Sequence, residues 1–271
     1  MILPLYQIDA FTRRVFGGNP AAVLPLPHWL PDTVLQHVAT ENNLAETAFF
    51  VPLEGRPNSY HLRWFTPTQE VNFCGHATLA TAYALWECLG ERAPELTFQT
   101  RMGDLTAVRG EDGAVVLDFP RLDPVPASQT PAELSELLGT PVQEIFTVAA
   151  GNVSVFAVLD SEAAVRGLVP DWGRLSPLDD LTITARGEQA DFVSRCFAPG
   201  MGIPEDPVTG SAHATLAPYW STKLGKTRLH ALQVSARGGE LHCEVLPDRV
   251  KVSGHAALYF EGRVHLTNTD I

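Results

Sequence analysis

The sequence predicts an α+β protein made of two similar halves. Strand-like and helix-like segments alternate along the chain, two almost wholly apolar helical segments occur in it, and short words recur at nearly one offset, close to half the chain length. Gly75-His76-Ala77-Thr78-Leu79-Ala80 opens the first apolar helix, and Gly210-Ser211-Ala212-His213-Ala214-Thr215-Leu216-Ala217 opens the second. Gly18-Asn19 and Gly151-Asn152 repeat at nearly the same separation. An internal duplication accounts for both pairs. Two such halves are expected to leave a cleft between them, each contributing one helix N-terminus.

The elements follow in order from local chemistry. Leu5 to Phe11 reads as a strand, Gly17-Gly18-Asn19-Pro20 as a turn, and Ala21 to Leu24 as a short apolar strand. Pro31 marks a helix start, and Val34, Leu35 and Val38 share one face of that helix. Thr47 to Val51 and Tyr60 to Phe65 are strands, the second alternating polar and apolar. His76 to Leu89 is apolar on nearly every side and reads as a buried helix. The Pro-rich stretch from Pro120 to Pro126 reads as a stiff linker, giving domains of residues 1–120 and 121–271. The second half continues with a helix from Ala132 to Leu138 and strands around Thr147, at Val153 to Val158, at Leu181 to Thr184 and at Phe192 to Phe197. A helix from Ala212 to Leu224 comes next, then strands turning at Arg237-Gly238-Gly239 and Pro247-Asp248.

Composition narrows the function classes. The 271 residues carry a formal charge of −12, which argues against a binder of nucleic-acid backbones. No apolar run reaches the roughly 20 residues of a membrane span, and the N-terminus lacks a signal-peptide layout. Cys74, Cys88, Cys196 and Cys243 lie far apart with no CxxC, which fits buried thiols in a reducing cytoplasm. GxGxxG, P-loop, GxSxG and HExxH patterns are all missing, so neither a nucleotide cofactor nor a metal is expected.

Four segments could carry chemistry. Taken singly, Gly75 and Gly210 are tight entry turns; as a pair of helix openings they suit an anionic substrate, because first-turn amides donate and the helix dipole adds positive potential. Glu46 stands directly before the apolar Thr47-Ala48-Phe49-Phe50-Val51, where partial burial would raise its pKa toward neutrality. On these residues alone, a solvated loop acid is the commoner reading. Glu205 and Asp206 lie between prolines ahead of Thr209, Gly210 and Ser211, a pattern that fits a capped helix start and a ligand contact equally well. His76 and its near-echo His213 have no partner at metal-ligand spacing.

Together these segments resemble the PhzF-like isomerase family of phenazine biosynthesis. The resemblance is carried by Tyr6 to Leu24 (YQIDAF and GGNPAAVL), Glu41 to Phe50 (ENNLAETAFF), Leu62 to Ala80 (LRWFTPTQEVNFCGHATLA), Asp191 to Trp220 and Ser235 to Leu241, and it spans essentially the whole chain. It implies a fold like that of diaminopimelate epimerase, with each domain wrapping a sheet around a central helix and the active site between them. It further implies a cofactor-free, cytoplasmic and often dimeric isomerase acting on a small metabolite that bears a carboxylate. The family's acid/base glutamate falls on Glu46, with His76 and Asp206 assisting proton transfer and Gly75, Gly210 and Ser211 holding substrate. Ala45 stands where a serine is expected before the glutamate. The epimerase relatives use two cysteines, whereas here Cys74 precedes Gly75 and the second motif, from Glu205 to Gly210, has no thiol. An amino-acid racemase, or a non-catalytic metabolite- or protein-binding module on the same fold, are the alternative readings.

Overall fold

In the computed structural model the described residues are 1–271 except 111, 149–153, 176–177, 179, 202 and 268–271. They form two compact units: Met1–Asp118 with Ser253–Ile271, and Phe119–Val252. The first unit holds β1 (Ile2–Ala10), β2 (Asn19–Pro25), α1 (Asp32–Asn42), β3 (Glu46–Pro52), β4 (Ser59–Phe65), β5 (Glu70–Val71), α2 (Gly75–Tyr83), β6 (Glu95–Thr100) and β7 (Gly103–Arg109). The chain passes into the second unit within β8 (Val115–Pro120). There follow β9 (Pro124–Pro126), α3 (Pro131–Leu138), β10 (Val142–Val148), β11 (Val155–Leu159), α4 (Glu162–Gly167), α5 (Trp172–Leu175), β12 (Leu181–Arg186), β13 (Phe192–Ala198), β14 (Ile203–Asp206), α6 (His213–Leu224), β15 (Arg228–Gln233) and β16 (Gly239–Val245). The chain returns within β17 (Arg249–Gly254) and ends in β18 (Ala256–His265).

The two units repeat one strand plan, as a duplication requires. In the first, β2 and β3 run parallel with α1 between them, β3 pairs antiparallel with β4, β4 pairs with the short β5, and β4 is parallel to β6 across the insertion of α2. In the second, β11 and β12 run parallel around α4 and α5, β12 pairs antiparallel with β13, β13 with the short β14, and β13 is parallel to β15 across the insertion of α6. Each plan closes with an antiparallel pair, β6–β7 and β15–β16. Gly151-Asn152, the second half of one sequence echo, lies outside the described residues, as does residue 153 of the expected strand.

Each unit is organised around a helix with no polar face. Every residue of α2 from Gly75 to Ala82 is buried, and so is every residue of α6 from His213 to Trp220. A helix apolar on all sides is stable only when enclosed, and strands supply the enclosure here: β1, β2 and β3 pack on α2, and β9, β15 and β16 on α6. The helix expected to reach Leu89 ends its α-helical run at Tyr83 and continues as a π-helical turn over Ala84–Cys88. Outside that core, α1 lays Val34, Leu35, Val38 and Ala39 against Leu3, Leu24, Phe49 and Phe65. No helix among the described residues is long and apolar enough to cross a membrane.

Two expectations need correction. The second domain was to run to residue 271, but β18 turns back to the first unit and pairs along nearly all of β1, from Ile2↔His265 to Ala10↔Ala256, with a bulge opposite Gln7/Ile8. The Pro-rich stretch is not a free linker. Pro218 inside α6 has no N–H to give the carbonyl of Ala214, and the Leu122 N–H takes that carbonyl instead at 3.1 Å. Arg121 N–H bonds to the Asp248 carbonyl at 3.0 Å, and Pro124–Pro126 forms β9 against β10. The prolines pair as an edge strand, where missing donors cost little.

The turn before β2 is narrower than its sequence suggests. Asn19 and Pro20 already belong to the strand, and Gly18 takes the left-handed conformation at φ +61°, as Phe11 and Phe16 do earlier in the connection. A Cβ there would sit 2.0 Å from the Ala10 carbonyl oxygen. Gly18→Ala should therefore cost roughly 2 kcal/mol or more in urea unfolding. Gly55→Ala, at φ +71° with nothing within 4 Å, should cost only about 1 kcal/mol. Equal losses would show that the Ala10 contact is not what constrains position 18.

Candidate functional site

In the first unit the geometry begins with the end of α1. Asn43 closes that helix in the left-handed conformation (φ 49°), its N–H bonded to the Ala39 carbonyl, and the chain turns so that Glu46 becomes the first residue of β3. β3 runs beside β2, with Glu46 opposite Ala21. Cys74 ends the preceding loop in extended conformation, and Gly75 and His76 form the first turn of α2, which carries no side-chain cap. The sequence-predicted Glu46, Gly75 and His76 are thus brought together.

His76 is almost fully enclosed, and its two ring nitrogens have different neighbours. Nε2 lies 3.1 Å from Glu46 Oε2. Nδ1 lies 3.1 Å from Asn19 Nδ2 and 3.5 Å from Cys74 Sγ. An amide nitrogen only donates, so when the ring is neutral Nδ1 accepts from Asn19 and the proton sits on Nε2, nearest Glu46; the imidazolium carries protons on both nitrogens. Neither Glu46 Oε2 nor His76 Nε2 has an aligned hydrogen-bond partner, although both atoms are buried. The two are in contact without an aligned hydrogen bond between them.

Burial alone would depress the His76 pKa, but the Cys74 sulfur and the Glu46 carboxylate override it and hold the imidazole well above its usual value. Burial pushes the Cys74 thiol the other way from reactivity, up to about 11. Glu46, Cys74 and His76 carry metal-binding atoms close together. Cys74 and Glu46, however, approach opposite ring nitrogens, so one ion cannot engage all three through a single imidazole nitrogen without turning the ring.

In the second unit, Asp206 ends β14 opposite Cys196 of β13. The acids that the sequence left equivalent are distinct here. Glu205 is held by Arg195 through two bonds, of 2.7 and 3.0 Å, and Arg195 is anchored in turn on the Val165 and Leu168 carbonyls. Asp206 instead accepts from the Thr209 hydroxyl at 2.5 Å. Gly210 and Ser211 form the turn into α6, which starts at His213, one residue later than expected. This helix start also lacks a side-chain cap. His213 resembles His76 only in sequence: its Nδ1 donates to the Thr209 carbonyl at 2.9 Å, and burial lowers its pKa to about 4, so it stays neutral.

Sequence reasoning missed Asn19 and Gln233 as site residues, and it offered Thr209 only as a helix cap or ligand contact. Gln233 is wholly buried on β15. Its Oε1 accepts from Thr209 N–H at 2.8 Å, and its Nε2 donates to the Asp206 carbonyl at 2.8 Å and to the Thr209 hydroxyl at 3.2 Å. The only signal was a polar residue at an inward position of an alternating strand. Asn19 was quoted for its repetition, not its contacts.

The family pattern described as "Phenazine biosynthesis-like protein" matches residues 8–262. The chain belongs to that PhzF family. An uncharacterized isomerase of Pseudomonas aeruginosa is 50% identical over 268 residues, covering 98% of this chain and 100% of the relative. A solved PhzF-family structure from Enterococcus faecalis has TM-score 0.91 at 45% identity, covering 98% and 100%. A hydroxyproline epimerase from Agrobacterium vitis, solved with trans-4-hydroxy-L-proline, has TM-score 0.63 at 13% identity over 97% and 92%, a likeness of fold alone. As a member of the PhzF family the protein is an isomerase, and its fold is the epimerase-like α+β duplication.

Two predictions follow from these geometries. Glu46→Gln removes a charge that lifts His76, so the imidazole C–H signals should titrate at lower pH by NMR; an unmoved midpoint would assign the lift elsewhere. Gln233→Leu strips three bonds from the Asp206–Thr209 turn and should cost about 1–3 kcal/mol in denaturant unfolding. A loss near zero would mean that water replaces the amide.

Proposed function

We propose that this PhzF-family isomerase moves a proton between carbons of a small, carboxylate-bearing metabolite, with Glu46 as the general acid/base. The observation that carries the reading is the buried Glu46–His76 contact, whose facing atoms are close but lack an aligned hydrogen bond. A carboxylate so placed can take a proton from carbon and return it to another carbon of the same molecule. His76, with a proton on Nε2 and a raised pKa, supplies a positive or donating group where negative charge develops. Gly75 removes side-chain bulk at the uncapped start of α2, which favours approach of an anionic group to the amides.

The same proposal gives Asp206 a part in proton transfer and Gly210 and Ser211 a part in substrate binding. The support is the rigid Asp206–Thr209–Gln233 turn at the uncapped start of α6. The cytoplasmic homodimer implied by the sequence resemblance belongs to this proposal too. A two-thiol racemase is disfavoured: burial holds both Cys74 and Cys196 protonated, with pKa values above that of a free thiol.

The test needs no prior choice of substrate. The protein is incubated with a cellular metabolite extract in D₂O, and compounds that gain deuterium are found by mass spectrometry. Wild-type protein should label one metabolite class, and Glu46→Gln should lower that labelling by roughly a hundredfold or more. Labelling that persists in the variant would overturn Glu46 as the base. Chiral chromatography of the product separates isomerisation from racemisation.

A further inference from the structure

The outward face of the β15–β16 hairpin carries a cluster that the function above does not use. Both strands alternate: Leu229, Ala231, Leu241 and Cys243 point inward, while His230, Glu240 and His242 are exposed to differing degrees on the other face. His230 and His242 are direct cross-strand partners, and their rings stack with centroids 4.9 Å apart and planes 15° apart. Glu240 lies two residues before His242 and therefore on the same face. Its Oε1 is 2.8 Å from His230 Nε2 and 3.9 Å from His242 Nε2. One oxygen and two Nε2 atoms thus converge, unlike the buried cluster, in which opposite nitrogens of a single ring are used.

We propose that His230, Glu240 and His242 form a binding site for a divalent transition-metal ion of the zinc class. Metal–nitrogen and metal–oxygen bonds of about 2.0–2.2 Å place tetrahedral ligands roughly 3.3 Å apart. The 2.8 and 3.9 Å separations bracket that value, and the exposed His242 would turn its ring out of the stack to aim its in-plane Nε2 lone pair at an ion shared with His230 and Glu240. Two imidazoles and one carboxylate select zinc, copper or nickel over magnesium or calcium, which prefer oxygen ligands. His230 would move its single proton from Nε2 to Nδ1 as the ion takes the Nε2 lone pair, so its binding need not release a proton. Water would complete the coordination. The hairpin fixes the two backbones, so little chain entropy opposes binding, and the protein's charge of −12 favours a cation. The ligands come from two strands and match no contiguous motif, which is why the sequence pointed to no metal.

Zinc chloride is titrated by calorimetry into the EDTA-stripped full chain, with ¹H–¹⁵N imidazole spectra recorded in parallel. One equivalent should bind, shifting the Nε2 signals of His230 and His242 together. His230→Ala, His242→Ala and Glu240→Gln should each weaken binding about tenfold or more, while Cys74→Ala should leave it unchanged. Wild-type binding weaker than about 1 mM, undiminished binding in His242→Ala, or loss in Cys74→Ala would overturn the site. Each exposed variant is checked by thermal unfolding, and the paired imidazole shifts in the wild type test the proposal without any substitution.

Discussion

Everything in the fold depends on hiding two helices that have no solvent-compatible face. Leu79, Ala80 and Ala82 in α2, and Leu216, Ala217 and Trp220 in α6, must be shielded on every side. Strands supply that shield here, β1, β2 and β3 on α2 and β9, β15 and β16 on α6, and each half carries its helix in a parallel crossover. Burial also governs the site, since the N-terminal turn of such a helix brings its first residues into a medium of low dielectric constant. His76 occupies that position in one unit and His213 in the other, with opposite consequences. Cys74 and Glu46 lift the pKa of His76 against its burial, whereas burial keeps His213 neutral despite the Thr209 carbonyl beside it.

Much of this architecture was legible in the sequence because its signals are local. The apolar helices, the alternation of Tyr60 to Phe65, the face shared by Val34, Leu35 and Val38, and the Gly-Gly turn each follow from a few neighbouring residues. What escaped is long-range. Nothing near Leu122 reveals that it bonds the carbonyl left unpaired by Pro218, and nothing near Ala256 reveals that this strand returns to Ala10. Proline was read as a spacer where it is an edge strand, because the missing donor is the same in both settings.

The candidate site divides in the same way. Glu46, Gly75, His76, Asp206, Gly210 and Ser211 could be named through resemblance, since motifs preserve them in order. The residues that orient them could not: Asn19 is 57 positions from His76, and Gln233 is 24 from Thr209. Glu205 and Asp206 illustrate the limit well. Adjacent and chemically alike, they are set apart by their partners: Arg195 claims Glu205 from β13, and the Thr209 hydroxyl bonds Asp206.

The pairing of β18 with β1 also bears on the order in which the molecule can be completed during synthesis. The second unit is one continuous stretch, Phe119–Val252, and all of it has been translated before β18 appears. The first unit is begun earlier but waits, with one long edge of β1 uncovered, until residues beyond Ser253 emerge from the ribosome. The half that starts first therefore finishes last, and a nascent chain halted between the two units presents an unpaired strand to whatever chaperone or neighbouring chain reaches it.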